Sequence, residues 1–158
     1  MKTKILSLPE LTRTASDIRG ANGRLVLTNG CFDLLHVGHV RYLEEARALG
    51  DFLAVAVNGD DSVRVLKGAG RPLNSAADRA EVLAALECVD FVTVFPELRA
   101  TKVIEGARPT VYVKGGDYTL ESLDPEEVAA LKAGGTEIKT LPLVAGKSTT
   151  GLIERMQH

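Results

Sequence analysis

Short apolar runs alternate with helical segments along this chain of 158 residues, and that alternation limits the possible folds more than any other feature. The run from Phe52 to Val57 is apolar at every position, as expected of a strand covered on both faces. Strands that are joined by helical crossovers form parallel sheets. The sequence therefore predicts an α/β fold, a Rossmann-like doubly wound sheet of five parallel strands with helices on both faces.

The predicted elements fill one domain over residues 1–158, in which residues 1–23 form a leading helix and a turn. A chain of this length has no room for a second full domain. Strands are predicted at 25–27, 52–57, 91–95, 110–113 and 137–141, and helices at 8–20, 40–49, 60–66, 75–87, 98–107, 125–133 and from 148 onward.

The charge and composition of the chain limit the kinds of binding partner and the cellular location that we expect. The formal net charge of −2 argues against broad attraction to nucleic acid, so phosphate binding would need a local group of positive charges. No apolar run approaches the roughly 20 residues that span a bilayer, and the N-terminus lacks a signal peptide's apolar core. We therefore expect a cytoplasmic protein without a membrane partner. Cys31 and Cys88 are expected to be reduced in that compartment.

Side chains that are suited to binding or catalysis follow four of the five predicted strands. In open parallel sheets, ligands bind beyond the carboxyl ends of the strands, near the point where the strand order reverses. We therefore predict one site at that edge of the sheet. It is built from segments that follow the first, second, fourth and fifth strands: 29–39, 58–61, 114–118 and 146–150.

The segment after the first strand has the features of a phosphate site. His36 and His39 are predicted to lie at or just before the first turn of a helix. The first amides of a helix lack intrahelical partners, and the helix dipole is positive there, so an anion is favoured. Gly38 has no Cβ and would let a phosphate approach the backbone.

Two common phosphate motifs do not fit. Gly146-Lys147-Ser148 is similar to the end of a P-loop, but Leu141 stands where the leading glycine is required. Gly68-Ala69-Gly70 is followed by Leu73 where the dinucleotide fingerprint needs a third glycine. The phosphate site is therefore of another kind.

A zinc site is an alternative interpretation of Cys31, His36 and His39. The sequence offers no clustered fourth ligand, and the spacing matches no structural zinc pattern. We therefore predict no protein residues that bind a metal.

The segment 30–39 resembles the signature of the HxGH nucleotidyltransferases, and 146–150 resembles their second signature. The amino-acid sequences of segments 28–33, 113–118 and 148–150 are most similar to those of the adenylyltransferase domains of bifunctional heptose-phosphate kinase/adenylyltransferases. Glycerol-3-phosphate cytidylyltransferases are also similar, but Leu143 replaces the arginine that they usually carry before the second signature.

The resemblance implies that an oxygen of a sugar 1-phosphate, here heptose 1-phosphate, attacks the α-phosphorus of ATP in line and displaces pyrophosphate. It implies catalytic roles for His36, His39 and Lys67, with Lys67 and Arg71 on a mobile loop that closes over the phosphates. Asn58 and Asp60 are predicted to bind the substrate because they lie at the carboxyl edge of the sheet. The residues implied in nucleotide binding are Gly30, Cys31, Phe32, Asp33, Gly38, Arg71, Arg79, Lys114, Gly115, Asp117, Lys147, Ser148, Thr149 and Thr150.

The resemblance also implies ATP as co-substrate, Mg²⁺ held largely by the nucleotide phosphates, and a homodimer. The protein's partners would be two small molecules, a nucleotide and a sugar phosphate. A separate kinase chain would supply the sugar phosphate. Two alternatives stay open. One is a cytidylyltransferase acting on glycerol 3-phosphate or another phosphorylated polyol, and the other is a nucleotide-binding regulatory module without catalysis.

Overall fold

A computed structural model describes residues 3–116, 120–142 and 149–157 of the chain. Over these residues the strands are β1 (Leu25–Gly30), β2 (Phe52–Asn58), β3 (Phe91–Phe95), β4 (Val111–Gly115) and β5 (Glu137–Leu141). The helices are α1 (Leu8–Gly20), α2 (Val37–Arg47), α3 (Asp60–Lys67), α4 (Ala76–Ala84), α5 (Thr101–Ala107), α6 (Pro125–Ala133) and α7 (Thr149–Gln157), and a short 3₁₀ helix covers Leu120–Ser122.

The strands pair in the order β3-β2-β1-β4-β5, and every pairing is parallel. The strand order reverses between β1 and β4, where Val26 lies opposite Val111. Leu25 lies opposite Phe52 on the other side of β1. The predicted doubly wound parallel sheet is confirmed, and the reversal point marks the ligand crevice of such sheets.

Helices cover both faces of the sheet because alternate strand residues point in opposite directions. On one face, Leu27 and Tyr112 pack in a core with residues of α1, α5 and α6. On the opposite face, Val26, Val55 and Val113 pack in a second core with residues of α2 and α4. This double burial explains why β1 and β2 are apolar over several consecutive residues.

Several predicted bounds were wrong near the site. The helix expected from residue 40 begins at Val37, and β1 extends to Gly30 because that residue still pairs with Val57 of β2. Lys67 is the last residue of α3 and does not belong to the loop. Lys114 and Gly115 end β4. The helices predicted at 75–87 and 98–107 are shorter, at Ala76–Ala84 and Thr101–Ala107.

Cys31 and Cys88 are free thiols, as predicted. Over the described ranges, no helix combines the length and the apolar character that crossing a membrane requires.

Candidate active site

The carboxyl ends of β1, β2 and β4 lie side by side, and the predicted site residues of the described chain gather there. Gly30 to Asp33 continue from β1, Asn58 ends β2, and Lys114 and Gly115 end β4. The β1 and β4 ends flank the point where the strand order reverses. The fold therefore brings these segments to the edge at which open α/β sheets bind ligands.

His36 and His39 form a reciprocal cap at the start of α2. His36 is the N-cap residue, and its Nδ1 accepts a hydrogen bond from the Gly38 amide at 3.1 Å. The Nδ1 of His39 accepts from the His36 amide at 3.3 Å. The two ring centroids are 3.9 Å apart. Two histidines thus have the roles that serine and glutamate have in an ordinary capping box.

These bonds determine which ring nitrogens carry the protons. An Nδ1 that accepts a hydrogen bond holds no proton, so a neutral imidazole must carry its proton on Nε2. Both His36 and His39 are therefore assigned as Nε2–H donors from their hydrogen-bond partners. The Gly38 amide was predicted to be open to a phosphate, but His36 caps it. The imidazole Nε2–H groups are therefore the side-chain donors at this helix end.

The pKa of His39 is lowered to about 4, chiefly by burial and also by the neighbouring His36. A charged imidazolium is disfavoured where water is partly excluded and another imidazole lies beside it. At neutral pH, His39 is consequently uncharged. The Nε2–H group of His39 can donate a hydrogen bond while Nδ1 still accepts one from the His36 amide.

The Phe32 side chain packs against the histidine pair through its contact with His39. Its backbone has a φ of +47°, in the left-handed region that side chains rarely adopt. The Phe32 ring lies 5.6 Å from the His39 ring, centroid to centroid. A Cβ on Gly30 would approach the Phe32 ring to 3.0 Å. Gly30 therefore leaves space for the ring that contacts His39, a role that differs from direct nucleotide binding.

Asp33 holds the segment 71–74 against the loop that follows β1. Its buried carboxylate accepts from Arg71 Nε at 2.7 Å and from the Leu73 and Asn74 amides at 2.9 and 3.0 Å. The Asn74 side chain donates to the Asp33 carbonyl oxygen at 2.8 Å. Burial alone would raise the pKa of Asp33, but the hydrogen bonds from Leu73, Arg71 and Asn74 outweigh it and lower the pKa.

The prediction of a mobile basic loop was therefore wrong for Arg71. Its guanidinium is mostly buried in the ion pair with Asp33. To reach a phosphate, Arg71 would have to leave a carboxylate that is itself almost fully buried. Lys67 is exposed at the end of α3, and among the two cations it is the one available to a ligand.

Arg79 was predicted to bind nucleotide, yet the structure buries its side chain to 1% exposure. It donates to the carbonyl oxygens of Cys31 and Asn58, each at 2.7 Å, and to that of Asn74 at 3.0 Å. Its Nη2 donates to Asp60 Oδ1 at 2.8 Å. Arg79 therefore connects the loop after β1 with the end of β2 and the start of α3.

The two predicted substrate residues differ in accessibility. The Asn58 side chain is buried and donates to Ser62 Oγ at 3.3 Å and to the Leu98 carbonyl oxygen at 3.4 Å. The Asp60 side chain is 43% exposed. Its Oδ1 accepts from Arg79 and from the Ala76 amide at 2.9 Å. Asn58 has the contacts of a packing residue, whereas Asp60 keeps surface for a ligand.

Positive charges converge on Cys31, between β1 and the histidine loop. Burial raises the pKa of the Cys31 thiol, and the charges of Lys67, Arg79 and Arg71 oppose that rise. The pKa of Lys114 is lowered mainly by burial; Glu127 opposes this effect and Arg99 adds to it. Arg71 and Arg79 are paired with Asp33 and Asp60, so Lys67 is the cation of the three around Cys31 that has no such ion pair among the described contacts.

A buried hydroxyl network lies beneath the site and was not predicted. Thr28 Oγ1 and Tyr42 Oη are 2.7 Å apart, and they lie 3.0 and 3.1 Å from the Val113 carbonyl oxygen. Tyr112 Oη also donates to Asn29 Oδ1. The network joins α2 to β1 and β4 across the strand reversal. The sequence signal for these bonds was the pair of polar residues, Thr28 and Asn29, that follows the apolar run of β1.

The second predicted signature lies largely outside the described residues, as do Asp117, Lys147 and Ser148. Thr149 and Thr150 form the first turn of α7. In the ranges that the structure describes, no group of three or more histidine, cysteine, aspartate or glutamate side chains is arranged to bind a metal ion.

Two pockets lie elsewhere on the molecule. One of about 500 Å³ lies between α5 and α6, and it is lined by Thr101, Arg108 and Ala130 among others. The other, of about 870 Å³, is lined by Lys4, Phe52 and other residues at the opposite edge of the sheet. Neither includes a residue of the histidine loop.

The fold and the site together define the class as an α/β domain of the HxGH nucleotidyltransferase type. A histidine pair caps the helix after β1, at the edge of the sheet where the strand order reverses, and the charges of Lys67, Arg79 and Arg71 act on the neighbouring Cys31. Residues 27–151 match the model of the cytidylyltransferase-like family. The chain therefore belongs to the cytidylyltransferase-like family.

Two similar curated proteins carry the same name. The chain is 51% identical to the bifunctional protein HldE of Geotalea uraniireducens (strain Rf4) and 48% identical to that of Pseudomonas paraeruginosa (strain DSM 24068 / PA7), in each case over 98% of its length. It spans 31% and 32% of those two relatives. The similarity thus covers about a third of each curated protein.

Solved structures agree on the fold. The lipopolysaccharide core biosynthesis protein from Thermoplasma volcanium GSS1 matches with a TM-score of 0.63 and 27% identity, over 77% of this chain and 97% of that one. Pantoate-beta-alanine ligase from Francisella tularensis, solved with beta-gamma ATP and beta-alanine, matches with a TM-score of 0.59, over 99% and 77%. At 12% identity, the ligase is evidence for the fold alone.

Proposed function

We propose that this chain is an adenylyltransferase that joins ATP to heptose 1-phosphate, producing an ADP-sugar and pyrophosphate. The observation that carries the proposal is the histidine pair, in which both Nδ1 atoms accept backbone hydrogen bonds, so that each neutral ring carries its proton on Nε2. Family membership and the HldE relatives support the same class of reaction.

In this mechanism an oxygen of the sugar 1-phosphate attacks the α-phosphorus of ATP. The new O–P bond forms as the bond between the α-phosphorus and the bridging oxygen breaks, and pyrophosphate leaves with that oxygen. Negative charge grows on the α-phosphoryl oxygens and on the leaving group. His36 and His39 donate hydrogen bonds to those oxygens, and each preorganised donor contributes on the order of 3 kcal/mol to transition-state stabilisation.

Lys67 supplies a charge at the open side of the site and neutralises pyrophosphate as it leaves. Lys114 and the first turn of α7, at Thr149 and Thr150, face a second part of the nucleotide in this proposal. Asp60 binds a hydroxyl of the sugar through its exposed carboxylate. Asp117, Lys147 and Ser148 keep their proposed contacts to the nucleotide as predictions from the sequence.

Mg²⁺ would accompany ATP. The described residues contain no cluster of ligands for it, so the ion would be held by the triphosphate oxygens, in keeping with the preference of Mg²⁺ for phosphates and water. A cytoplasmic location, where ATP is available, and a homodimer belong to the same proposal.

A pyrophosphate-release screen tests the proposal. Purified protein is given ATP or CTP together with heptose 1-phosphate, glycerol 3-phosphate or glucose 1-phosphate. The proposal expects release with ATP and heptose 1-phosphate, and release at least tenfold slower in the other combinations. Faster turnover of CTP with glycerol 3-phosphate would establish the cytidylyltransferase alternative. Nucleotide binding without release from any combination would establish the regulatory module.

A further inference from the structure

Arg79 is a buried charged side chain that makes four described hydrogen bonds. The guanidinium carries five N–H groups in a planar fork. It donates hydrogen bonds to the carbonyl oxygens of Cys31, Asn58 and Asn74 and to Asp60 Oδ1. The side chain is 1% exposed, so a bound ligand cannot reach it without displacing protein. The resemblance implies that Arg79 contacts nucleotide, and its burial argues for another role.

The acceptors of Arg79 belong to segments that are distant in the sequence. Cys31 lies in the loop after β1, Asn58 ends β2, and Asn74 lies in the segment before α4. Three of the four acceptors are backbone carbonyl oxygens, which no substitution of a neighbouring side chain can remove. One guanidinium thus fixes the relative positions of three loops at the carboxyl edge of the sheet.

The route from Arg79 to the histidines is short. Arg79 holds the carbonyl oxygen of Cys31, and the next residue is Phe32, whose backbone is left-handed and whose ring contacts His39. Asn74, also held by Arg79, binds the backbone and the carboxylate of Asp33. The loop is therefore held on both sides of Phe32.

The opposite end of the guanidinium holds a second functional group. Among the described residues, both hydrogen bonds to the Asp60 side chain are made to Oδ1, one from Arg79 and one from the Ala76 amide. The exposed carboxylate is thereby held in one orientation at the start of α3. The same arginine thus touches the histidine loop and the proposed sugar-binding residue.

We propose that Arg79 is a positioning residue, which sets the distance between the His36/His39 pair and the Asp60 carboxylate without touching a substrate. This inference rests on the proposed function for its kinetic part. Lysine keeps the charge of arginine but offers a single point of donation, so it cannot replace a fork that reaches four acceptors. A misplacement of about 1 Å in a preorganised site costs on the order of 100-fold in rate.

The test uses Arg79→Lys, with Arg64→Lys as the matched control, because Arg64 is exposed on α3 and pairs only with Asp61 among its described contacts. Two readouts are taken: ¹⁵N NMR signals of the histidine side chains, and kcat and KM in pyrophosphate release. In Arg79→Lys we expect the signals of His39 to move away from those of the Nε2–H tautomer. We also expect kcat to fall on the order of 100-fold, with KM for ATP changed less than about threefold. Arg64→Lys should match the wild type.

The NMR readout keeps this inference separate from the proposed function, since it needs no turnover. If wild-type protein releases no pyrophosphate but the histidine signals move in Arg79→Lys, the function fails and the positioning role stands. Unchanged histidine signals in a folded Arg79→Lys protein would overturn the positioning role. If Arg79→Lys does not fold, Asp60→Asn takes its place, because it removes the charged acceptor of Arg79 and keeps an oxygen there. A smaller movement in the same direction is then expected, and unchanged signals would overturn the inference.

Discussion

The low pKa of His39 predicts how the stability of the fold depends on pH. In the folded protein this pKa is about 4, against an ordinary value of 6.5 in the unfolded chain. The unfolded state therefore binds more protons between those two values, so stability rises with pH across that window. The contribution is complete above pH 6.5 and is lost as the pH falls towards 4.

The full shift corresponds to about 3.4 kcal/mol at 1.36 kcal/mol per pKa unit. Because the His39 side chain is partly exposed, solvent screening reduces this to about 2 kcal/mol. Between pH 7.5 and pH 5, roughly half of that, about 1 kcal/mol, should be lost. His39→Gln isolates the effect, since glutamine at the N3 position still accepts from the His36 amide but does not titrate.

Urea unfolding, followed by far-UV circular dichroism at pH 7.5, 6 and 5, measures the effect in a chain that has no tryptophan. The wild type should lose about 1 kcal/mol more than His39→Gln over this range. Equal losses in the two proteins would refute the assignment of His39 as a neutral imidazole with a low pKa.

Two further substitutions test the support of the site. Asp33→Ala should lower the free energy of unfolding in urea at pH 7 by about 4 kcal/mol, because it leaves buried amides and the partner Arg71 without their acceptor. Asp61→Ala, at an exposed position, should lower it by less than about 0.5 kcal/mol. Similar losses in the two variants would contradict a stabilising role for the buried Asp33 carboxylate. Tyr42→Phe should cost about 1 kcal/mol by removing one hydroxyl from the buried network at Val113, and a stabilised variant would contradict that network.

The sequence was sufficient to predict the layers of the fold. Strand β2 is apolar from Phe52 to Val57 because both faces of the sheet are covered, and that pattern is visible in the sequence alone. The strands β3 and β5 and the helix α6 have the predicted bounds. The start of α2 was missed because its first turn is capped by histidines. Apolar periodicity, the signal used to find the helix, begins only at Val40.

The roles of the charged residues could not be predicted from local pattern. Arg71 and Arg79 are both basic residues near a glycine-containing segment, and both were interpreted as phosphate ligands. Their actual partners, Asp33 and the carbonyl oxygen of Cys31, lie 38 and 48 positions away in the chain. Only the tertiary fold brings these groups together, so burial and ion pairing separate the structural arginines from Lys67.

The proposed function depends on hydrogen-bond donation from His36 and His39 Nε2 to the reacting phosphates. It is tested most directly by the kcat of pyrophosphate release from ATP and heptose 1-phosphate in His36→Ala and His39→Ala, each compared with the wild type after circular dichroism has shown that the fold is intact. Each variant should lose roughly 100- to 1,000-fold in kcat, the amount that one preorganised donor contributes. Wild-type turnover by both variants would contradict the proposal.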